Sequence, residues 1–120
     1  MKSHWFTHQG KRVWFADYSH FGVESKDLQK EMDEIFEVLS REKPGSVLTL
    51  IDVTGTRGTP ENFNLMRAMA VRLNPYVRKR AVIGLTGVQK TFFDLINKAS
   101  GDKNYIRFED AEAAKNWLVE

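Results

Sequence analysis

Residues 50–62, LIDVTGTRGTPEN, gather groups that can do chemistry: a carboxylate at Asp52, hydroxyls at Thr54, Thr56 and Thr59, and a guanidinium at Arg57, interleaved with Gly55 and Gly58. Thr59-Pro60-Glu61 has the composition of a helix start. The threonine can accept from free N–H groups, proline loses nothing at the first helical position, and glutamate suits the positive end of the dipole. Unpaired amides at such an end can hold an anion. A second loop, TGVQK (86–90), follows the apolar run AVIGL and adds Thr86, Gly87 and Lys90. Two buried strands joined through a helix are parallel neighbours, so both loops are expected at the carboxyl ends of their strands, facing one another, where open α/β sheets place ligands. The expected anion- or partner-binding surface is therefore Thr54, Thr56, Arg57, Gly58, Thr59, Thr86, Gly87 and Lys90, suited to phosphate, a phosphorylated side chain or an acidic partner. The same residues also serve a plainer purpose, since glycines permit tight turns and Thr59 caps a helix in any βα connection. Neither GTRGT nor GLTGVQK fits G-x-x-x-x-G-K-[ST] or G-x-G-x-x-G, so no nucleotide cofactor is expected.

The chain around these loops has 120 residues, a net charge of +2 and no cysteine. That length suits one domain, 1–120, able to bury about two thirds of the surface its unfolded form exposes. The small basic surplus argues against nucleic acid as the partner. Without cysteine there is no disulfide, no thiol catalysis and no thiolate zinc site, which fits a reducing compartment. MKSHWFTHQGKR lacks the apolar core of a signal peptide and AVIGL is too short to span a bilayer, so a cytoplasmic protein without a transmembrane segment is expected.

The elements follow from periodicity. Residues 4–8 and 12–18 are aromatic and β-branched around Gln9-Gly10, which predicts a β-hairpin. From Ser25, read as an N-cap, Leu28, Met32, Ile35, Phe36 and Leu39 recur at helical spacing until Pro44-Gly45. SVLTLIDV (46–53) and AVIGL (81–85) read as buried strands. Between them Phe63, Met66, Met69, Ala70 and Leu73 mark the inner side of a helix closed by Asn74-Pro75. A third helix is expected over about 89–100, with Phe92, Phe93, Ile96 and Ala99 inward and Gly101 as its stop. Tyr105 to Phe108 reads as a short strand, and Asp110 as the cap of a last helix carrying Ala114, Trp117 and Leu118. The order is β-β-α-β-α-β-α-β-α: an α/β fold in which an N-terminal β-hairpin is followed by β-α repeats, giving a mixed, mostly parallel five-stranded sheet with four helices.

This order, together with RVWFADYS, VLTLIDVTGTRGTPEN, RKRAVIGLTGVQK and YIRFEDAEAAKNWL, resembles the STAS domain and its SpoIIAA-like branch across nearly the whole chain. The resemblance implies strands side by side in sequence order. It also implies a regulatory or interaction role, since members include anti-sigma-factor antagonists, cytoplasmic domains of anion transporters and relatives compared with Sec-type lipid carriers. Antagonists carry an Asp-Ser-Ser-Gly-like phosphoacceptor loop after the third strand. Here Asp52 to Thr59 stands there without a serine, so Thr54 and Thr56 are the acceptors the resemblance implies.

In that strand order Asp17 and Asp52 end neighbouring strands. They are read as loop-fixing carboxylates, the alternative being a metal or acid-base pair for which no third ligand is spaced. His4 and His8 share a strand face and read as surface residues, and Ser19-His20 is no dyad because neighbours on an extended chain point apart. VRKR (77–80) reads as a solvated basic turn. No complete catalytic constellation can be assembled, so the expectation is a non-enzymatic module with a protein partner or small ligand, free of metal and cofactor, and compatible with a homodimer. The alternative is a carrier or sensor of a small apolar or lipid-like molecule held among the many aromatics.

Overall fold

The computed structural model describes residues 1–87, 89–91, 93–94 and 105–120. Two strands open the chain, β1 (His4–His8) and β2 (Lys11–Asp17). Gln9 and Gly10 join them with φ of 50° and 79°, the left-handed pair that a two-residue hairpin requires. Then come α1 (Ser25–Leu39), β3 (Val47–Asp52), α2 (Pro60–Leu73), β4 (Val77–Ile83), β5 (Tyr105–Arg107) and a C-terminal helix (Ala111–Leu118). Residues 89–91 and 93–94 are helical, at the start of the expected third helix. Phe92, Ile96, Ala99 and Gly101, assigned to that helix from sequence, lie outside the described residues.

The strands lie in sequence order, with β1–β2 antiparallel and the other pairs parallel. Strand alternation sends the two faces into separate layers. Trp14, Ala16, Val47, Ile51 and Val82 meet Leu28, Met32 and Ile35 of α1 and Met69 and Leu73 of α2. Val13, Leu48, Leu50 and Ala81 meet Ala114 and Leu118 of the C-terminal helix. Each buried Leu or Ile contributes about 1.5–3 kcal/mol of transfer free energy, so the inner face of α1, rather than helix propensity, holds that helix in place.

Two expectations change. Ser25 is not the cap of α1: Glu24 occupies that position without a side-chain hydrogen bond, and the Ser25 hydroxyl donates instead to Asn62 Oδ1 at 2.9 Å. Nor is VRKR a turn, because Val77 to Arg80 begin β4. Alternation then places Arg80 and Lys79 on opposite faces. Arg80, 2% exposed, donates to Asn74 Oδ1 at 2.8 Å and to the Ala70 carbonyl at 2.6 Å. Lys79 donates to the Trp117 carbonyl at 2.9 Å. Each cation thus meets the negative end of a helix, α2 on one face and the C-terminal helix on the other.

Candidate functional site

Parallel pairing sets Asp17 opposite Asp52, and Asp52 opposite Ile83, so the segments that follow β2, β3 and β4 leave the sheet along one rim. Backbone bonds tie them together. His20 N–H donates to the Thr54 carbonyl at 2.8 Å, Arg57 N–H to the Phe21 carbonyl at 2.9 Å, and Val53 N–H to the Ile83 carbonyl at 3.1 Å.

Both strand-end carboxylates accept from the residues just after them. Asp52 Oδ1 takes the Thr54 amide at 2.9 Å and the Thr54 hydroxyl at 2.6 Å. Asp17 Oδ1 takes the amide and hydroxyl of Ser19, with Lys2 Nζ at 3.5 Å. Burial pushes the Asp17 carboxyl up, but the Ser19 hydrogen bonds and the Lys2 charge outweigh it and hold the group below its usual range.

Glycines make the close approach possible. Gly55 has φ of 71°, and a Cβ there would lie 2.5 Å from His20 Nδ1. Gly84 has φ of 88°, and a Cβ there would lie 2.5 Å from the Thr54 amide nitrogen. The loop after β3 is therefore folded down onto its neighbours and does not stand open as a cradle.

The expected site residues separate accordingly. Thr54 is exposed. Thr56 is 6% exposed; its hydroxyl donates to the Tyr18 carbonyl and accepts from Phe21 N–H at 3.0 Å, so in this fold it ties the loop after β3 to the segment after β2. Thr59 caps α2 by accepting from Asn62 N–H at 3.1 Å. Much of the anion-binding capacity expected of the loop is used internally, since the Thr54, Thr56, Arg57 and Asn62 amides all have protein acceptors. Lys90 ion-pairs with Glu109, and that ammonium's hydrogen bond holds the Glu109 carboxyl below its usual range; Lys90 is thus no free charge for the rim. Thr86 and Gly87 are exposed, and Gln89 N–H donates back to the Thr86 carbonyl at 3.0 Å.

What the rim presents outward is Arg57, exposed and with no acidic partner among the described residues. Beside it lies a shallow recess walled by Val53, Gly58, Phe63, Met66, Leu85 and Gln89. Its internal volume of about 10 Å³ is roughly the space of one water. A Cβ on Gly58 would lie 3.0 Å from Gln89 Nε2 and 3.2 Å from the Phe63 ring, so a side chain there would make both neighbours give by a few tenths of an ångström.

Sequence reasoning missed Asn62, which pins the rim. It is 1% exposed, accepts from Ser25 Oγ at 2.9 Å, and donates to the carbonyls of Gly22 at 3.0 Å and Arg57 at 2.9 Å. Its position three residues after a Thr cap was the available signal, because a polar side chain there can reach back over the loop. His4 is exposed and His8 half-buried, with His8 Nε2 2.8 Å from Asn116 Oδ1. Among the described residues no three His, Asp or Glu side chains are grouped to hold a metal ion, and no helix is long and apolar enough to cross a membrane.

Neither a protein-family model nor a curated protein matches the chain. Among solved structures it is similar to an uncharacterised protein of the DUF3478 family from Shewanella loihica PV-4, described as having a SpoIIAA-like fold. The TM-score is 0.72 at 17% identity, over 97% of this chain and 91% of that one. At that identity the likeness concerns architecture, and with the sheet order above it gives this chain a SpoIIAA-like fold.

Proposed function

We propose that the chain is a non-enzymatic docking module of STAS type whose carboxyl-end rim binds a protein partner. The observation that carries this reading is the exposed Arg57, without an acidic partner among the described residues, beside the apolar recess of Phe63, Met66 and Leu85. Such a pairing suits a partner segment that places a small apolar side chain next to a carboxylate or phosphate. The guanidinium supplies a fork of donors for the anion, and the recess desolvates the neighbour.

Exposure of Thr54 supports reading it as the rim hydroxyl open to modification. A phosphate there would add about −1.5 to −2 charge at pH 7, against a carboxylate oxygen that now accepts its hydroxyl at 2.6 Å. It would repel Asp52 and open the turn, with Arg57 three residues on as a counter-charge. The carrier reading finds less room. Among the described residues the space enclosed between the sheet and helices α1 and α2 is about 20 Å³, whereas small-molecule sites run to about 300–1,000 Å³. The larger hollow of about 370 Å³ by Glu24, Lys26 and Glu61 is open and lined mostly by polar residues.

Photo-crosslinking in native cells tests the docking reading. A crosslinker at Thr86, on the rim, is expected to give a protein adduct that Arg57→Glu removes, whereas one at Lys43, at the opposite end of the strands, is expected to give none. Adducts indifferent to Arg57→Glu would sink the reading. For the switch, intact-mass spectrometry of the native protein should show a phosphorylated population lost in Thr54→Ala and retained in Thr56→Ser.

A further inference from the structure

The rim does not use the interior space behind it. Between the sheet and helices α1 and α2 lies a cavity of about 20 Å³ whose lining includes the polar residues Trp14, Tyr18, Thr49 and Arg80 among apolar ones such as Ile35 and Met66. Trp14 is 2% exposed, and its indole Nε1 has no hydrogen-bond partner among the described residues. A buried donor left so costs about 1–3 kcal/mol, which the surrounding core could avoid only by giving it an acceptor. Tyr18 and Thr49, 4% and 3% exposed, bring hydroxyls that can both accept and donate.

Size decides what the acceptor is. A water needs roughly 10–15 Å³ of such volume and two or more polar partners, and the cavity meets both conditions. An organic ligand does not fit.

We propose that this cavity is a binding site for one ordered water, which accepts from Trp14 Nε1–H, donates to the hydroxyl oxygens beside it, and exchanges with solvent past Met66. Met66 is the route because it walls both this cavity and the rim recess, and its unbranched thioether can swing without displacing backbone. The site stands whether or not the rim docks a partner.

Nuclear magnetic resonance on the nitrogen-15-labelled protein tests it. The chain has three tryptophans, and Trp14→Phe, or sequential assignment where that variant fails to fold, identifies the relevant indole. The expected result is a water-to-indole cross-relaxation peak at Trp14 with the sign of a water resident for longer than a nanosecond, retained in Tyr18→Phe and in Thr49→Val, since each leaves one hydroxyl. Met66→Ala is expected to speed hydrogen exchange of the Trp14 indole at least tenfold. Absence of the peak in the unmodified protein overturns the site. Its loss in either hydroxyl variant would assign the signal to relay through that hydroxyl's exchangeable proton and overturn it equally. A peak with unchanged exchange in Met66→Ala overturns the route.

Discussion

Asn62 closes the rim by serving two loops and a helix at once: its side chain meets Gly22, Arg57 and Ser25, and its amide meets Thr59. Asn62→Ala leaves two part-buried carbonyls and the buried Ser25 hydroxyl short of partners, at a net cost of about 2–3 kcal/mol. Thr59→Ala removes one capping bond and should cost about 1 kcal/mol. Urea denaturation checks the order, and an Asn62→Ala cost no larger than that of Thr59→Ala would contradict the pinning role. The glycines are ranked by the same reasoning. Gly84→Ala places a methyl against the Thr54 amide, whereas Gly87, also at positive φ, has nothing within 4 Å. Both substitutions bear the left-handed penalty of about 1–2 kcal/mol, so Gly84→Ala must be the more damaging by the full cost of the clash.

At the scale of elements, β4 joins the two halves of the core through its alternation. Ala81 and Val82 point to opposite apolar layers, and Lys79 and Arg80 divide likewise between two helix ends. Arg80→Met should cost about 2–3 kcal/mol, because the Ala70 carbonyl and Asn74 side chain lose charge-assisted bonds. Arg80→Lys should recover only part, since an ammonium lacks the fork that reaches both acceptors. Thermal denaturation of the pair distinguishes this capping role from mere volume, which methionine largely supplies. The element order was legible because apolar periodicity reports burial directly: Leu28, Met32 and Ile35 on α1, and the run Val47–Ile51 on β3, all reach the core. Arg80 was not legible, because three cations in VRKR look solvated until strand pairing shows which of them lies beneath α2. Asn62 was hidden likewise, as a polar residue near a helix start reads as surface until the loop above it is placed. Asp17 and Asp52 could be set side by side from strand order, but the commitment of Thr56 to Tyr18 and Phe21 depends on the fold of a loop that no periodicity describes.

For the whole molecule, the stability window in pH follows from groups that tie the sheet to its rim. Asp17 titrates below its ordinary value of 3.8 in the folded chain. Its contribution is therefore present above about that pH and is lost as pH falls through the still lower folded value. Asp17→Asn should weaken the protein at neutral pH and leave the difference near zero at the foot of the acid limb. Tyr18 sets the other limit. Its phenol is fully buried, and burial pushes its pKa well above the ordinary 10.0, since the anion would be desolvated against the core. Its folded pKa is raised, so this contribution is complete below pH 10 and drains away as pH rises toward the folded value. Folded protein should keep Tyr18 protonated past pH 10, with phenolate absorbance from this residue emerging together with loss of far-ultraviolet helical signal. Tyr18→Phe should flatten that alkaline limb while leaving the acid one unchanged. Were Tyr18 to titrate near pH 10 in a chain still folded, bulk solvent rather than a single confined water would have to reach its phenol, and the tight closure around Thr56 and Gly55 would be wrong.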